Sequence, residues 1–320
     1  MAKPVLKWAG GKSQLLDEIY SRFPTEYNRY HEPFFGGGAV FFDLEPKDGT
    51  INDTNTRLIN FYRVVRDNPS ELLTRLREFE HPEDNPDPEL KYADQDQKEN
   101  EIDQYFYQQR ARFNRRPYDD EEWPVTDEER IEEAALLFYL NRTCYNGLFR
   151  ENRKGGFNVP IGRYANPDWV MADRIRNASR ILAGADIRNE DFEYVLDEAT
   201  EGDLVYFDPP YKPMSTTAYF TDYSAEGFDK DDQKRLLKTA KELDSRGVFV
   251  VLSNSGVMYE LYDEAGFFVE REGATRSINS DETARGEVDE IIATNVPKAE
   301  RRQSPEHEPE KPEQASITDF

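Results

Sequence analysis

Apolar residues recur along the chain with two periods, one helical and one alternating. Leu15, Leu16, Ile19, Tyr20 and Phe23 share one face at helical spacing, which predicts a helix capped by Ser13, with Gly10-Gly11-Lys12 at its N-terminus. "HEPFFGGGAVFF" reads as strand, glycine turn and helix; "TIND" ends a second strand, and the helix after it carries Leu58, Ile59, Tyr62 and Val65. Asn68-Pro69-Ser70-Glu71 supplies a cap, a first-turn proline and a capping-box glutamate for the next helix. From about residue 80 to 125 the rhythm breaks into charged, proline-punctuated sequence holding Tyr105, Phe106, Tyr107 and Phe113, which predicts an insertion. A capping box at Thr126 and Glu129 then opens a helix through "IEEAALLFYLNR". In "TCYNGLFRENRKGGFNVPIGRY", Asn146-Gly147 and Gly155-Gly156 are turn signals between aromatic and β-branched residues, the pattern of a hairpin.

Strand and helix alternate again through "ADIRNEDF", "DLVYF", a helix from Asp229 to Ser245 closed by Gly247, and "VFVVL", before the final pair "GFFVE" and "EVDEIIATN". Repeated βα units predict an α/β fold with a mostly parallel sheet covered on both faces, the last two runs forming an antiparallel edge hairpin. No internal repeat is present, and the charged, proline-rich residues 298–313 predict a disordered tail.

At 320 residues the chain suits one large domain or a domain with a sizeable insertion. Its single cysteine, Cys144, and three scattered histidines give neither a disulfide nor a zinc-like spacing, which suggests a reducing cytoplasm and no structural metal. No transmembrane run appears, and Gly10-Gly11-Lys12 interrupts the place of a secretory apolar core. The formal charge of −24, with acids spread along most of the chain, fits either adaptation to high salt or repulsion of nucleic acid. Salt adaptation is the preferred reading, because concentrated salt leaves a DNA-binding protein little to gain from counterion release.

Two strand ends carry candidate chemistry. "FFGGGAVFF" provides a tight turn after one strand, and Asp53 lies 17 positions beyond Gly36 at the end of the next. In open α/β sheets such a pair holds a nucleoside cofactor, the acid accepting from ribose hydroxyls. The absence of G-x-G-x-x-G disfavours a dehydrogenase, and glycines of this kind also serve packing alone. The second stretch is "YFDPPYK", where two prolines bar both helix and central strand after Asp208 and leave stiff backbone with unclaimed carbonyls. In isolation it would be an ordinary Asx-type turn.

Taken in order, "LKWAGGK", "EPFFGGGAVFF", "INDTN", "YNGLFR", "FNVPIGRY" and "FDPPY" resemble the Dam-type, D12-class DNA adenine N6-methyltransferases, from Leu6 to roughly Asn295. The resemblance implies a Rossmann-like methyltransferase fold with a mainly helical DNA-recognition insertion and a β-hairpin, using S-adenosyl-L-methionine. It implies catalytic roles for Asp208, Pro209, Pro210 and Tyr211, and cofactor contacts for Trp8, Lys12, Phe35, Gly36, Asp53 and Asp208. Chemically, adenine N6 is a poor nucleophile because its lone pair is delocalised. Acceptance of its two hydrogens by the Asp208 carboxylate and a proline-fixed carbonyl, that of Pro209, would favour a pyramidal amine. Tyr211 would stack on the extruded base.

Residues 141–163 hold Arg142, Arg150, Arg153, Lys154 and Arg163 against one acid, Glu151, in an otherwise acidic chain. Interleaved with Tyr145, Phe149 and Phe157, they suit a hairpin that grips phosphates and wedges into a base stack; a solvated basic hairpin without base readout is the alternative. By resemblance, Tyr145 and Asn146 would fill the gap, Leu148 would touch a thymine methyl, and Arg150 and Lys7 would bond guanine edges in GATC, with Arg163 also on the DNA side. Cys144 invites a cytosine-methylation reading, but no proline precedes it and it lies beside the hairpin, away from the cofactor strands.

The last seven residues, "QASITDF", match a sliding-clamp-binding pattern through Gln314, Ile317 and Phe320, with Asp319 where a second aromatic is common. The expected organisation is a catalytic domain in two parts, 1–66 and 171–297, a target-recognition insertion at 67–170, and a tail at 298–320. The expectation is a cytoplasmic, nucleoid-associated monomer methylating duplex DNA at GATC, the alternative being a modification enzyme of a restriction system with another site. A non-catalytic DNA- or clamp-binding protein retaining the fold is the rival from a different class.

Overall fold

A computed structural model describes residues 3–79, 101–115, 126–152, 154–164, 167–210, 228–275 and 287–302. Tyr211, the clamp-like peptide at 314–320, and the insertion residues 80–100 and 116–125 lie outside the described residues.

The described strands are β1 (Tyr30–Glu32), β2 (Gly49–Asn52), β3 (Ala185–Arg188), β4 (Leu204–Phe207), β5 (Phe249–Ser255), β6 (Phe268–Thr275) and β7 (Glu287–Thr294). They form one sheet in the order β3-β2-β1-β4-β5-β7-β6. The first five are mutually parallel, while β7 runs antiparallel between β5 and β6. The mostly parallel sheet and its terminal antiparallel pair match the alternation in the sequence. Strand order reverses between β1 and β4, which opens a crevice at their carboxyl ends.

β4 shows why both faces are covered. Leu204 and Tyr206 join one apolar cluster, whereas Val205 and Phe207 join the other, as a period of two requires. The first cluster takes helices α1 (Leu16–Tyr20), α2 (Ala39–Leu44), α3 (Thr56–Asp67), α4 (Pro69–Arg77), α5 (Glu101–Asn114), α6 (Asp127–Thr143) and α7 (Ala172–Leu182). The second takes α8 (Val195–Glu198), α9 (Lys230–Ser245) and α10 (Tyr259–Glu264). Capping boxes at Thr126 with Glu129 and at Asp229 with Asp232 start α6 and α9. Among the described residues, no helix is long and apolar enough to cross a membrane.

Three local expectations fail for identifiable reasons. The tail does not start at 298: Lys298–Glu300 form a short helical turn, and Arg301 is buried, donating to the Val296 carbonyl at 2.9 Å and to Glu270 Oε1 at 2.9 Å, which anchors the chain through residue 302. Ser13 caps nothing: α1 begins at Leu16, behind an uncapped Leu15, so Gly10-Gly11-Lys12 is not a helix N-terminus. The Lys12 side chain is drawn inward to carboxylates at the sheet's end, and its carbonyl accepts from the Leu15 N–H in a turn that delays the helix. Asn68 closes α3 and precedes α4 at once, with φ −129° and ψ 44°; its side chain makes no capping bond, although Pro69 occupies the first turn as expected. The expected β-hairpin does pair its arms antiparallel, through bridges at Cys144 with Ile161 and Glu151 with Phe157, flanked by backbone bonds from the Tyr145 N–H to the Pro160 carbonyl and from the Asn158 N–H to the Arg150 carbonyl, although among the described residues these bridges do not lengthen into strands. Asn146 and Gly147 take positive φ between the two bridges, and Gly155 does so at the tip.

Candidate functional site

The crevice at the carboxyl ends of β1, β2 and β4 holds a cavity of about 620 Å³. Three stretches far apart in sequence, Trp8 to Lys12, Phe35 to Gly38 and Asp208 to Pro210, line it together with Asp53.

The glycine loop after β1 is tight. Gly36 and Gly38 adopt φ of 48° and 67°, and a Cβ on Gly38 would stand 2.5 Å from the Phe35 ring. Gly36 donates its N–H to Asp53 Oδ2 at 3.0 Å and accepts the Tyr62 hydroxyl at 3.0 Å, so both its polar groups are held. Asp53 Oδ1 accepts the Asn55 N–H at 2.9 Å. Burial raises the Asp53 carboxyl, and these two backbone donors pull against it. Each of its oxygens retains a second acceptor site for hydroxyl donors. The Phe35 ring is core, edge-on to Tyr62 at 4.7 Å, even though the residue borders the cavity.

Lys12 is 4% exposed, and its ammonium stands 3.0 Å from Asp208 Oδ1 and 3.6 Å from Glu290 Oε2. The Asp208 side chain keeps 20% of its surface open at the end of β4. Pro209 is buried and Pro210 exposed. Glu32, on the cavity wall and 3% exposed, accepts the Tyr30 hydroxyl at 2.7 Å. Burial, reinforced by the nearby Asp208 charge, pushes its carboxyl up to about 8.

Several lining groups were not anticipated. Phe34, Phe192 and Phe228 meet with centroids 5.3 to 5.8 Å apart and form an apolar side to the cavity. Asp191 and Phe192 follow the end of β3, the strand beside β2, so the strand-end reasoning applied to Asp53 extends to "NEDF" as well. Glu290 carries no local signal, because it reaches Lys12 only through the long-range placement of β7 beside β5.

On the outer side, Trp8 bridges the cavity to the basic loop. Its ring stacks on Phe149 at 5.1 Å and 20°, and also lies against Gly36 and Gly37, where an added Cβ would stand 3.0 Å from Trp8 atoms. Lys7 follows the same edge, its ammonium 4.6 Å from the Tyr164 ring centroid. Tyr145 is 41% exposed, Asn146 and Arg163 are exposed, and Leu148 is half-buried. Arg150 is exposed and donates to Asn158 Oδ1 at 2.7 Å. Cys144 is buried with Sγ 3.3 Å from the Leu148 carbonyl, and burial pushes its thiol up to about 12, which removes it as a ring-attacking thiolate.

The family profile described as D12 class N6 adenine-specific DNA methyltransferase matches residues 8–278. Among curated relatives, the Type II methyltransferase M1.LlaDCHI of Lactococcus lactis subsp. cremoris is 41% identical over 297 residues, covering 92% of this chain and 95% of that protein. The Type II methyltransferase M.MjaIII of Methanocaldococcus jannaschii is 39% identical over 292 residues, covering 87% and 93%. The DNA adenine methylase of Escherichia coli strain K12 is 34% identical over 294 residues, covering 91% and 95%.

Proposed function

Because the chain belongs to the D12 class of N6 adenine-specific DNA methyltransferases, which use S-adenosylmethionine, we propose that the crevice between β1 and β4 is where cofactor and target adenine meet. Trp8, Lys12, Phe35, Gly36, Asp53 and Asp208 would hold the cofactor, with Asp53 accepting ribose hydroxyls. The apolar side formed by Phe34, Phe192 and Phe228 suits an adenine ring. When bound, S-adenosylmethionine supplies a methyl carbon already activated by a sulfonium.

The chain's own work is on the amine. Asp208 and the Pro209 carbonyl accept the two N6 hydrogens and hold the lone pair out of conjugation with the ring. An ionised carboxylate suffices, since N6 becomes acidic only after it has gained the methyl group; Asp208 then takes its proton and passes it to solvent through its open face. Lys12, paired with Asp208, favours the ionised form. Tyr211 stacks on the base once it leaves the duplex.

The observation that carries this reading is the Asp208 carboxylate, partly open, on the wall of the cavity that also contains Trp8, Gly36 and Asp53. Asp208→Ala should abolish methyl transfer to duplex DNA while the fold and most DNA binding persist; retained turnover would remove the role.

For the target we propose GATC, read by Lys7 and Arg150 at guanine edges and by Leu148 at a thymine methyl, with Tyr145 and Asn146 bracing the vacated stack and Arg163 on phosphate. Residues 67–170 would form the target-recognition unit. Protection of GATC from a methylation-sensitive nuclease tests the assignment, and protection of a different adenine site refutes it. A modification enzyme with another site is the second reading, favoured by the type II naming of two relatives. Adaptation to concentrated salt follows from the charge of −24, and loss of activity in high salt would oppose it. Tethering to a sliding clamp through Gln314, Ile317 and Phe320 rests on their spacing; clamp capture unchanged by removing residues 314–320 would end that idea. A monomer in the cytoplasm, associated with the nucleoid, completes the proposal.

A further inference from the structure

Lys7 and the Tyr145–Gly147 turn share one edge of the molecule although they come from distant parts of the chain. Asn141 joins them. It lies in the last turn of α6, 2% exposed and 134 positions from Lys7. Its Oδ1 accepts the Lys7 N–H at 3.0 Å, and its Nδ2 donates to the Lys7 carbonyl at 2.7 Å and to the Gly147 carbonyl at 2.9 Å. Holding both backbone groups of Lys7 imitates strand pairing, so the Lys7 backbone cannot turn without breaking two partly buried bonds.

Two contacts narrow the remaining freedom. A Cβ on Gly147, whose φ is 67°, would overlap the Lys7 side chain, so the turn and the lysine are already in close approach. The Lys7 ammonium donates to the Tyr164 hydroxyl at 3.3 Å. Trp8, next in sequence, is held between Phe149 and the Gly36-Gly37 backbone. The edge carrying Lys7 is therefore continuous with the cavity wall.

We infer that Asn141 is a positioning residue for target specificity: it locks the Lys7 backbone to the Tyr145–Gly147 turn so that both present their base-reading groups as one rigid edge. This rests on the proposed base reading by Lys7 and the turn. Asn114 supplies an internal control. It clasps the far arm of the same loop in the same manner, donating to the Phe157 carbonyl at 2.9 Å and accepting the Phe157 N–H at 2.8 Å, without touching Lys7.

The experiment compares full-length Lys7→Ala, Asn141→Ala and Asn114→Ala with the unsubstituted chain, all with S-adenosylmethionine. Substrates are the duplex found to be preferred by sequencing of methylated DNA and duplexes with one base pair exchanged; the readout is the ratio of their kcat/KM values. Lys7→Ala and Asn141→Ala should each lower discrimination at the same base pair by about tenfold, the scale of one base contact, while Asn114→Ala leaves every ratio within about twofold. Discrimination lost in Lys7→Ala but kept in Asn141→Ala overturns the inference. Discrimination kept in Lys7→Ala removes the base-reading premise instead. Amide hydrogen exchange on the unsubstituted chain gives a second measurement that needs no variant to fold. The preferred duplex should protect peptides spanning residues 5–9 and 144–149 together, and protection of one without the other contradicts a rigid edge.

Discussion

Replacing Glu32 with glutamine isolates the electrostatic cost of an acid built into the cavity wall. Glu32 is 3% exposed, and its carboxyl is pushed up to about 8 from an ordinary 4.5 by burial first and the Asp208 charge second, against the Tyr30 hydroxyl and the Phe41 N–H. Between those values the folded chain keeps a proton that the unfolded chain has released. The associated stability is whole below the unfolded value, declines as pH rises, and is gone above the folded value. The slope is about 1.4 kcal/mol per pH unit, so the total is on the order of 5 kcal/mol across the window. Glutamine does not titrate. Urea unfolding of both proteins at steps from about pH 5 to about pH 9 yields a stability difference in which the other titrations largely cancel. That difference should move in favour of Glu32→Gln as pH rises and level off near pH 8. A flat difference, or one moving in favour of the natural glutamate, would refute the reasoning.

Other substitutions probe the same neighbourhood. Lys12→Met leaves Asp208 and Glu290 without the cation they share and should cost about 3 kcal/mol or more in chemical denaturation. Gly38→Ala meets both a φ of 67° and the Phe35 ring, so a loss of about 2 kcal/mol in the same assay is expected. Cys144, with its thiol pushed up to about 12, should resist maleimide in the folded protein and react after unfolding, and Cys144→Ala should keep its methyl-transfer rate.

How much of this was legible follows from the range of each signal. Glycines after β1 and prolines after β4 mark those strand ends in the sequence, and Asp53 after β2 stands out as an acid at the end of the next strand; all three meet in one cavity. The cap at Thr126 was equally local, needing only Glu129 three residues on. Ser13 misled because the chain first makes a turn closed by the Lys12 carbonyl, with the Lys12 side chain directed to Asp208, and α1 begins only at Leu16. The Lys12 pairing with Glu290 was invisible because it depends on β7 entering the sheet between β5 and β6. Asn141, at the end of an apolar helix, carries no local signal; only the fold brings Lys7 and Gly147 to its amide.

The most direct test of the account uses purified full-length chain, duplex DNA and S-adenosylmethionine with a deuterated methyl group, followed by mass spectrometry of the released nucleosides. Deuterium is expected in N6-methyldeoxyadenosine and none in methylated cytosine, with the signal lost in Asp208→Asn. Label on cytosine, or adenine labelling that survives Asp208→Asn, would contradict it.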